Sequence, residues 1–293
     1  MASEGDRRSD PEVAARESRL LSGLHLQAEG AKGVAIALLS TVVFIAVIVV
    51  AVTQSAGWPE VKRTFFDWGD ISSTFPDIAR AFKLNVEIFL VCEVFILIFA
   101  LVLAVLRSLP GPVFFPLRAL ATIYSDLARG IPTILVVALL GFGAPALQLT
   151  GVPRSRIFWA GLGLILVYSG YVAEVYRAGI ESVHPSQEAA ARSLGLTRFQ
   201  AMRRVILPQA IRRVIPPLLN DFIGLQKDTA LVGTLGVIEA FNQAQIDVSA
   251  SFNFTPFLAA ALLFVAITIP LARFTDWLIA RDRRRRQAQG VFA

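Results

Sequence analysis

The segment GVAIALLSTVVFIAVIVVAVT, residues Gly33–Thr53, contains no charged side chain. A helix needs roughly 20 apolar residues to cross the hydrocarbon core of a bilayer, and this segment has that length. It is too long, and begins too far from the first residue, for a cleaved signal peptide. The segment therefore predicts a transmembrane helix.

Five further apolar runs of similar or greater length follow. We predict an all-α, polytopic membrane protein with six transmembrane helices. The other five predicted spans are Leu84–Leu106, Ala119–Leu149, Ile157–Ile180, Ile211–Phe241 and Phe254–Ala280. The third and fifth spans are long and contain prolines and charged residues, so we expect their helices to be kinked or broken. Their irregular backbone should face protein or a cavity rather than lipid.

The overall composition supports a membrane protein. Apolar residues make up 55% of the 293 residues and charged residues only 17%, and the mean hydropathy is +0.61. The net charge of +6 does not indicate nucleic-acid binding, because the basic residues flank apolar spans instead of forming one patch with aromatics. The chain has one cysteine, Cys92, and two distant histidines, His25 and His184. We therefore expect no disulfide, no metal site and no cofactor.

Arginine and lysine placement predicts the orientation. The N-terminal tail, residues 107–118, residues 181–213 and the C-terminal tail together carry 18 basic residues, against 6 in the alternate loops. The positive-inside rule places the first set, including both termini, in the cytoplasm. The predicted parts are a cytoplasmic tail (1–32), a first helix with an external segment (33–79), a five-helix core (80–282) and a basic tail (283–293).

A polar loop interrupts the apolar pattern. We predict that a short helix starts at His184-Pro185-Ser186, runs through the Ala-rich stretch Gln187–Leu194 and stops at Gly195. A second helical stretch, Thr197–Ile206, should end before Pro208. Two readings fit this helix–turn–helix: an ordinary interfacial connector, or a surface helix that a partner grips.

The spacing of this loop resembles the cytoplasmic coupling loop of bacterial ABC importer permeases. That family has Glu-Ala-Ala, three residues, Gly, nine residues, Ile, one residue and Leu-Pro, and Gly195, Val205, Leu207 and Pro208 fit this spacing. Ala189 stands where the family has glutamate, and Glu188 lies one residue earlier, a shift of about 100° around a helix. The coupling residues implied by the resemblance are Glu188, Ala189, Ala190, Gly195, Leu207 and Pro208.

Other segments resemble the polar amino-acid uptake group (His/Glu/Gln/Arg type) of these permeases. Arg129-Gly130-Ile131-Pro132 is similar to the group's Arg-Gly-Thr-Pro motif. Gly170–Ile180, Leu207–Ala210, Asn220 and Lys227–Leu231 continue the match, with Ala230 where serine is common. The resemblance covers about residues 80–282, so the first helix is an added element outside the usual five-span core.

The resemblance implies a non-catalytic permease subunit in the inner membrane. Its partners would be a cytoplasmic ATP-binding cassette ATPase, a second permease subunit, identical or similar, and an external substrate-binding protein. The substrate would be an amino acid of the glutamate, glutamine, aspartate or basic type. The chain lacks the Gly-x-x-x-x-Gly-Lys-Ser/Thr phosphate loop, so ATP hydrolysis is assigned to the partner.

Polar residues within the predicted spans are candidates for the pathway. Charges at membrane depth are costly and usually face the bundle interior in pairs. The candidates are Lys227, Asp228, Thr229, Asn220, Arg129 and Glu174. Lys227 and Asp228 suit a zwitterionic substrate, or form a structural ion pair with each other or with neighbouring helices. For Arg129 and Glu174, an ion pair between helices or subunits is favoured.

Two other functions are compatible with a polytopic membrane protein. A membrane-embedded enzyme needs a nucleophile with a base, or metal ligands, inside the spans, and the two histidines lie outside the apolar runs. A permease for another small solute, such as an osmolyte, would have the same architecture. The segments Arg129–Pro132 and Lys227–Leu231 argue for an amino acid instead.

Overall fold

In the computed structural model, the backbone is described for residues 11–288, and side chains for residues 32–281 and Arg284. The described backbone is helical and contains no strand. The helices are α1 (Pro11–Thr53), α2 (Trp58–Phe65), α3 (Trp68–Ser108), α4 (Phe115–Gly130), α5 (Thr133–Ala146), α6 (Arg156–Glu181), α7 (Pro185–Ser193), α8 (Arg198–Ala201), α9 (Leu207–Asp228), α10 (Ala240–Ser251) and α11 (Thr255–Ala288).

The chain divides into two compact units, Met1–Arg63 and Thr64–Ala293. In the first unit, α1 begins at Pro11, within the segment predicted as a tail, and every residue of 32–53 is exposed. Residues 64–79, which the sequence grouped with the first span, belong to the second unit. Ile78 of that segment is fully buried in a cluster with Phe82, Ala240 and Ala259.

Helix α6 lies at the centre of the second unit and packs against α3, α4, α5 and α9. Its buried face includes Leu164, Val167 and Val172. Gly170 permits the close approach of α4, because a Cβ there would stand 2.5 Å from the Cβ of Ala128. The small residues of α6 thus let four neighbours pack directly on it, as in other membrane helix bundles.

Four helical segments of the described residues are long and apolar enough to cross a membrane, and a fifth is obtained if one bent pair counts as a single span. The bent pair is the third predicted span, which was expected to break. Its two helices meet at 100°. The break falls at Ile131, which is extended ahead of Pro132, because proline disfavours helical backbone in the residue before it.

The fifth predicted span, Ile211–Phe241, is not one helix and is not among the candidate spans. Helix α9 ends at Asp228, a 3₁₀ helix follows over Thr229–Leu235, and Gly236 turns the chain with φ +77°. Most of the region 242–253, predicted from sequence to lie outside the membrane, belongs to helix α10 (Ala240–Ser251). Its small residues Ala240, Ala244 and Val248 are buried, and α10 packs against α3 and α11.

Candidate coupling loop and polar pathway

Helix α7 has well-defined ends. Pro185 occupies its first turn, and the ring of His184 caps it by accepting the Ser186 N–H at 3.2 Å. At its other end, Gly195 has φ +86°. The Gly195 N–H donates to the Arg192 carbonyl and the Leu196 N–H donates to the Ala191 carbonyl, at 2.9 and 3.2 Å, as in a Schellman motif. The predicted start and stop of this helix are present.

The second helix of the loop starts with a capping box between Thr197 and Gln200. The prediction that it ends before Pro208 is wrong, since helical structure continues through a π-helical turn, Met202–Ile206, into α9. Pro208 has no N–H to donate to the carbonyl four residues earlier. The wider π turn, closed by the Leu207 N–H on the Met202 carbonyl, lets the helix absorb the proline without stopping.

The loop presents small and apolar side chains to solvent. Ala189 and Ala190 are exposed, whereas the Glu188 carboxylate turns toward the Arg198 guanidinium at 3.6 Å. Leu194 and Phe199 are 85% and 71% exposed, although the surrounding loop is polar. The sequence analysis did not select these two residues. Two signals point to them: Leu194 is an apolar residue beside the Gly195 helix stop, and Phe199 is an apolar residue inside the turn that Thr197 caps.

The loop is tied to α6 and α9. Val183, Ile206 and Ala210 form a small buried cluster beneath it. The Arg213 guanidinium donates to the Ser182 carbonyl. A Cβ at Gly179 would stand 2.0 Å from the Val214 side chain, so α6 and α9 are in direct contact where the loop leaves them. Helix α7 itself follows α6 after three residues and packs against α8 and the π turn that continues into α9.

Glu174 lies in an ion network near the same end of the bundle. It accepts from Arg107 of α3 at 2.9 Å and pairs with Arg177, which also contacts Glu181. The Arg107 side chain is only 13% exposed, so this pair between α3 and α6 is shielded from solvent. Such shielding makes the loss of one partner costly.

Arg129 forms a local ion pair instead of one between helices. Its guanidinium lies 2.9 Å from Asp126 of the same helix, and the pair is exposed. The Arg129 carbonyl, at the break between α4 and α5, accepts from the Tyr171 hydroxyl at 3.4 Å. The backbone rather than the charge of Arg129 thus contacts α6.

The structure does not pair Lys227 with Asp228 or with another carboxylate of the described residues. Asp228 accepts a 2.9 Å hydrogen bond from the Tyr168 hydroxyl of α6. Lys227 is exposed, as is Asn220 of the same helix. Of the two interpretations that the sequence left open, the ion pair is not found among the described residues, and contact of Lys227 and Asp228 with substrate stays a prediction.

Thr229 is fully buried in a polar network that joins four helical elements. The Asn85 carboxamide donates to Thr229 Oγ1 at 3.2 Å and to Glu239 Oε2 at 2.8 Å. Thr229 donates to the Gln226 carbonyl, and Gln226 Oε1 accepts from Thr268 of α11. The sequence analysis did not select Asn85 and Gln226 as candidates. An amide side chain inside an apolar run is a signal for them, because a buried amide needs a hydrogen-bond partner. No metal-binding group of three or more His, Cys, Asp or Glu occurs within the described residues.

The sequence profile of one known family, the binding-protein-dependent transport system inner membrane component, matches residues 108–284. The chain belongs to this family. The match includes residues 184–208, Glu174 with Arg177 and Glu181, and the whole of α9. The expectation of an ABC importer permease is confirmed, and the protein is a multi-pass inner membrane component of a transport system.

Two relatives that are named as amino-acid permeases align with this chain over most of their own length. The chain is 37% identical over 217 residues to the probable amino-acid ABC transporter permease protein PatM of Vibrio harveyi, covering 74% of this chain and 96% of PatM. It is 35% identical over 215 residues to the glutamate transport system permease protein GluC of Corynebacterium glutamicum, covering 70% and 92%.

Solved structures agree with the fold. A chain from the crystal structure of an amino acid ABC transporter with histidines superposes with a TM-score of 0.67 at 28% identity, covering 73% of this chain and 98% of that one. A chain of the inward-facing MetNI methionine ABC transporter gives a TM-score of 0.56 at 18% identity, and this likeness supports the fold alone.

Proposed function

We propose that this protein is the permease subunit of an ATP-driven importer for polar amino acids, coupled to a cytoplasmic ATPase through residues 184–208. The observation that carries the coupling proposal is the exposed, doubly capped helix α7, which follows α6 after three residues and packs against α8 and the π turn that continues into α9. Its small exposed residues Ala189 and Ala190 allow close approach, and Leu194 and Phe199 offer apolar anchors. Buried aromatic and aliphatic anchors commonly dominate binding at an interface.

The path from the loop to the membrane interior is short. Helices α6 and α9, which hold the loop, also carry the Tyr168–Asp228 hydrogen bond and the exposed Lys227. Binding that favours one position of α7 would bias the spacing of these two helices. Lys227 and Asn220 then contact the substrate or the second permease subunit, which completes the pathway as a homodimer or heterodimer.

We propose a topology with six membrane crossings. One crossing is formed by α9 and the following 3₁₀ helix, although this segment is too polar to be recognised as a span from its hydropathy. At 22 residues, α9 is about 33 Å long, which suits a bilayer. Its polar residues then face the pathway. Both termini and α7 lie in the cytoplasm, and an extracytoplasmic binding protein delivers the amino acid.

The test is transport by the complete complex in proteoliposomes, with the ATPase subunit and the binding protein added. Uptake and ATP hydrolysis are measured for glutamine, glutamate, aspartate, arginine, lysine, histidine and one osmolyte. We expect ATP-dependent uptake of one or more of the amino acids, and none with an ATPase subunit that cannot hydrolyse ATP. Uptake of the osmolyte alone would overturn the substrate assignment.

A further inference from the structure

A cavity of 690 Å³ lies between the 3₁₀ helix and α10, at the end of the bundle where α6 begins. Thr234, Gly236, Asn242, Gln245 and Ser249 contribute to its wall. The volume lies within the range of about 300–1,000 Å³ that small-molecule sites occupy. It is distinct from the Tyr168–Asp228 contact and from the coupling loop.

The wall of the cavity is uncharged and mostly apolar, with Phe241 and Ile246 beside the polar groups of Thr234, Asn242, Gln245 and Ser249. None of the residues that line it is acidic or basic. The Asn242 amide group donates to the Gly233 carbonyl at 2.9 Å, which fixes the carboxamide and leaves its oxygen as an acceptor. Gln245 and Ser249 are exposed on the same side of α10. Such a wall offers hydrogen bonds to neutral groups and to an ammonium, and offers no counter-charge to a charged side chain.

One cation stands at the rim. The Arg156 guanidinium donates to the Leu235 carbonyl at 2.9 Å, and its Nη1 lies 3.4 Å from the position that a Cβ on Gly236 would take. Within the described side chains no carboxylate pairs with Arg156. A guanidinium has five N–H donors in a planar fork that matches a carboxylate, so donors remain available beside the bond to Leu235.

We propose that this cavity is a substrate subsite, in which Arg156 binds the α-carboxylate of an amino acid and the neutral wall accepts its ammonium and an uncharged polar side chain. The proposal rests on the proposed function and narrows it to neutral polar amino acids such as glutamine. Arg156 is taken up by the α-carboxylate, so an acidic or basic side chain would add a second charge against a wall that offers hydrogen bonds but no ion pair.

The test uses a thiol in the cavity. Thr234→Cys places one on the exposed wall, while the native Cys92 is buried and serves as background. The complete permease–ATPase complex in lipid nanodiscs is labelled with a membrane-impermeant thiol reagent. L-glutamine at about four times its dissociation constant should slow labelling about fivefold, since roughly four-fifths of the sites are then occupied. L-glutamate, L-arginine and 4-aminobutanamide, which lacks the carboxylate, should protect less.

Further variants distinguish recognition of the substrate from a purely structural role of these residues. Adding Arg156→Gln should abolish protection by glutamine, and Arg156→Lys should retain part of it. Gln245→Glu places a carboxylate on the exposed wall and should shift protection toward arginine, whereas Gln148→Glu, outside the cavity, should not. A thiol introduced by Gln148→Cys should label equally with and without amino acid.

The outcomes are distinguishable. Uptake of amino acids by a complex whose Thr234→Cys thiol no amino acid protects would overturn the subsite and leave the proposed function standing. Equal protection by 4-aminobutanamide and glutamine would overturn the role of Arg156. A complex that imports no amino acid in the panel would instead contradict the proposed function itself.

Discussion

Asn85 of α3 donates its carboxamide to the buried carboxylate of Glu239, 154 residues later, with Nδ2 and Oε2 2.8 Å apart. The same side chain accepts the Ala240 N–H at 3.0 Å. Glu239 also accepts the N–H groups of Phe241 and Asn242, and both Asn85 and Glu239 are at most 1% exposed. One amide thus fastens the start of α10 to α3.

Replacing Asn85 should destabilise the fold. Asn85→Leu leaves Ala240 without an acceptor and Glu239 with one donor fewer, and each buried group left unsatisfied costs about 1–3 kcal/mol. We expect a lower melting temperature of the purified subunit in detergent. Asn220→Leu, an exposed asparagine on α9, is the control and should melt near the wild type. Equal melting of all three proteins would contradict the network.

Local signals predicted several of these features. The proline of Arg129–Pro132 predicted the break between α4 and α5, because proline acts on its immediate neighbours. The Gly195 stop was found for the same reason, since a left-handed residue at a helix end is a local requirement.

The features that the sequence did not predict depend on distant partners. Helix α10 buries only small residues such as Ala240 and Ala244, and its sequence carries no apolar run that separates it from a loop. The contact between Asn85 and Glu239 has no local pattern at all. The sequence left open whether Lys227 and Asp228 pair with each other, and their adjacency does not decide it, because adjacent side chains in a helix lie about 100° apart.

Gly195→Val should impair coupling while the protein still inserts. A Cβ at Gly195 meets no atom within 4 Å, so the penalty comes from φ +86° alone, about 1–2 kcal/mol for a non-glycine residue and more for a branched one. We expect a distorted end of α7 and reduced uptake per ATP hydrolysed. Gly195→Asn, which tolerates this backbone, is the matched control. Unchanged uptake by the valine variant would contradict the coupling assignment.

Phe199→Ser tests the apolar anchor of the loop. The ring is 71% exposed, so its removal should leave the melting temperature of the subunit unchanged. We expect at least about a tenfold weaker association with the ATPase subunit, which corresponds to about 1.4 kcal/mol. Co-purification and titration by light scattering measure this. Phe252→Ser, at the other end of the bundle and 82% exposed, should associate normally; equal affinities would argue against Phe199.

Lys227→Gln should reduce uptake without preventing assembly. Lys227 is exposed and has no ion pair with the described residues, so its replacement leaves no buried charge unpaired. We expect normal expression and dimerisation but a lower transport rate. Lys83→Gln, whose native side chain pairs with Glu87 on the surface, should transport normally. Failure of the Lys227→Gln subunit to assemble would assign this residue a structural role instead.

Asp247→Asn should stabilise the protein at neutral pH. Burial raises the pKa of the Asp247 carboxyl, the Gln243 hydrogen bond opposes this shift, and the carboxylates of Asp77 and Asp70 add to it. A carboxyl whose pKa is higher in the folded than in the unfolded state binds its proton more tightly in the folded state. The free energy of unfolding therefore declines as the pH rises above the unfolded pKa of about 3.9. The uncharged amide avoids that decline and offers N–H donors to the neighbouring carboxylates.

The measurement is the melting temperature in detergent at pH 7 and near pH 4. We expect the Asp247→Asn variant to melt above the wild type at pH 7 and the difference to shrink toward pH 4, as protonation removes the charge of the native carboxyl. Asp276→Asn provides the comparison, because Asp276 is exposed and pairs with Arg273 at 3.3 Å, so its loss should bring no gain. A gain of equal size at both pH values would show that packing, and not the charge of Asp247, limits stability at this end of α10.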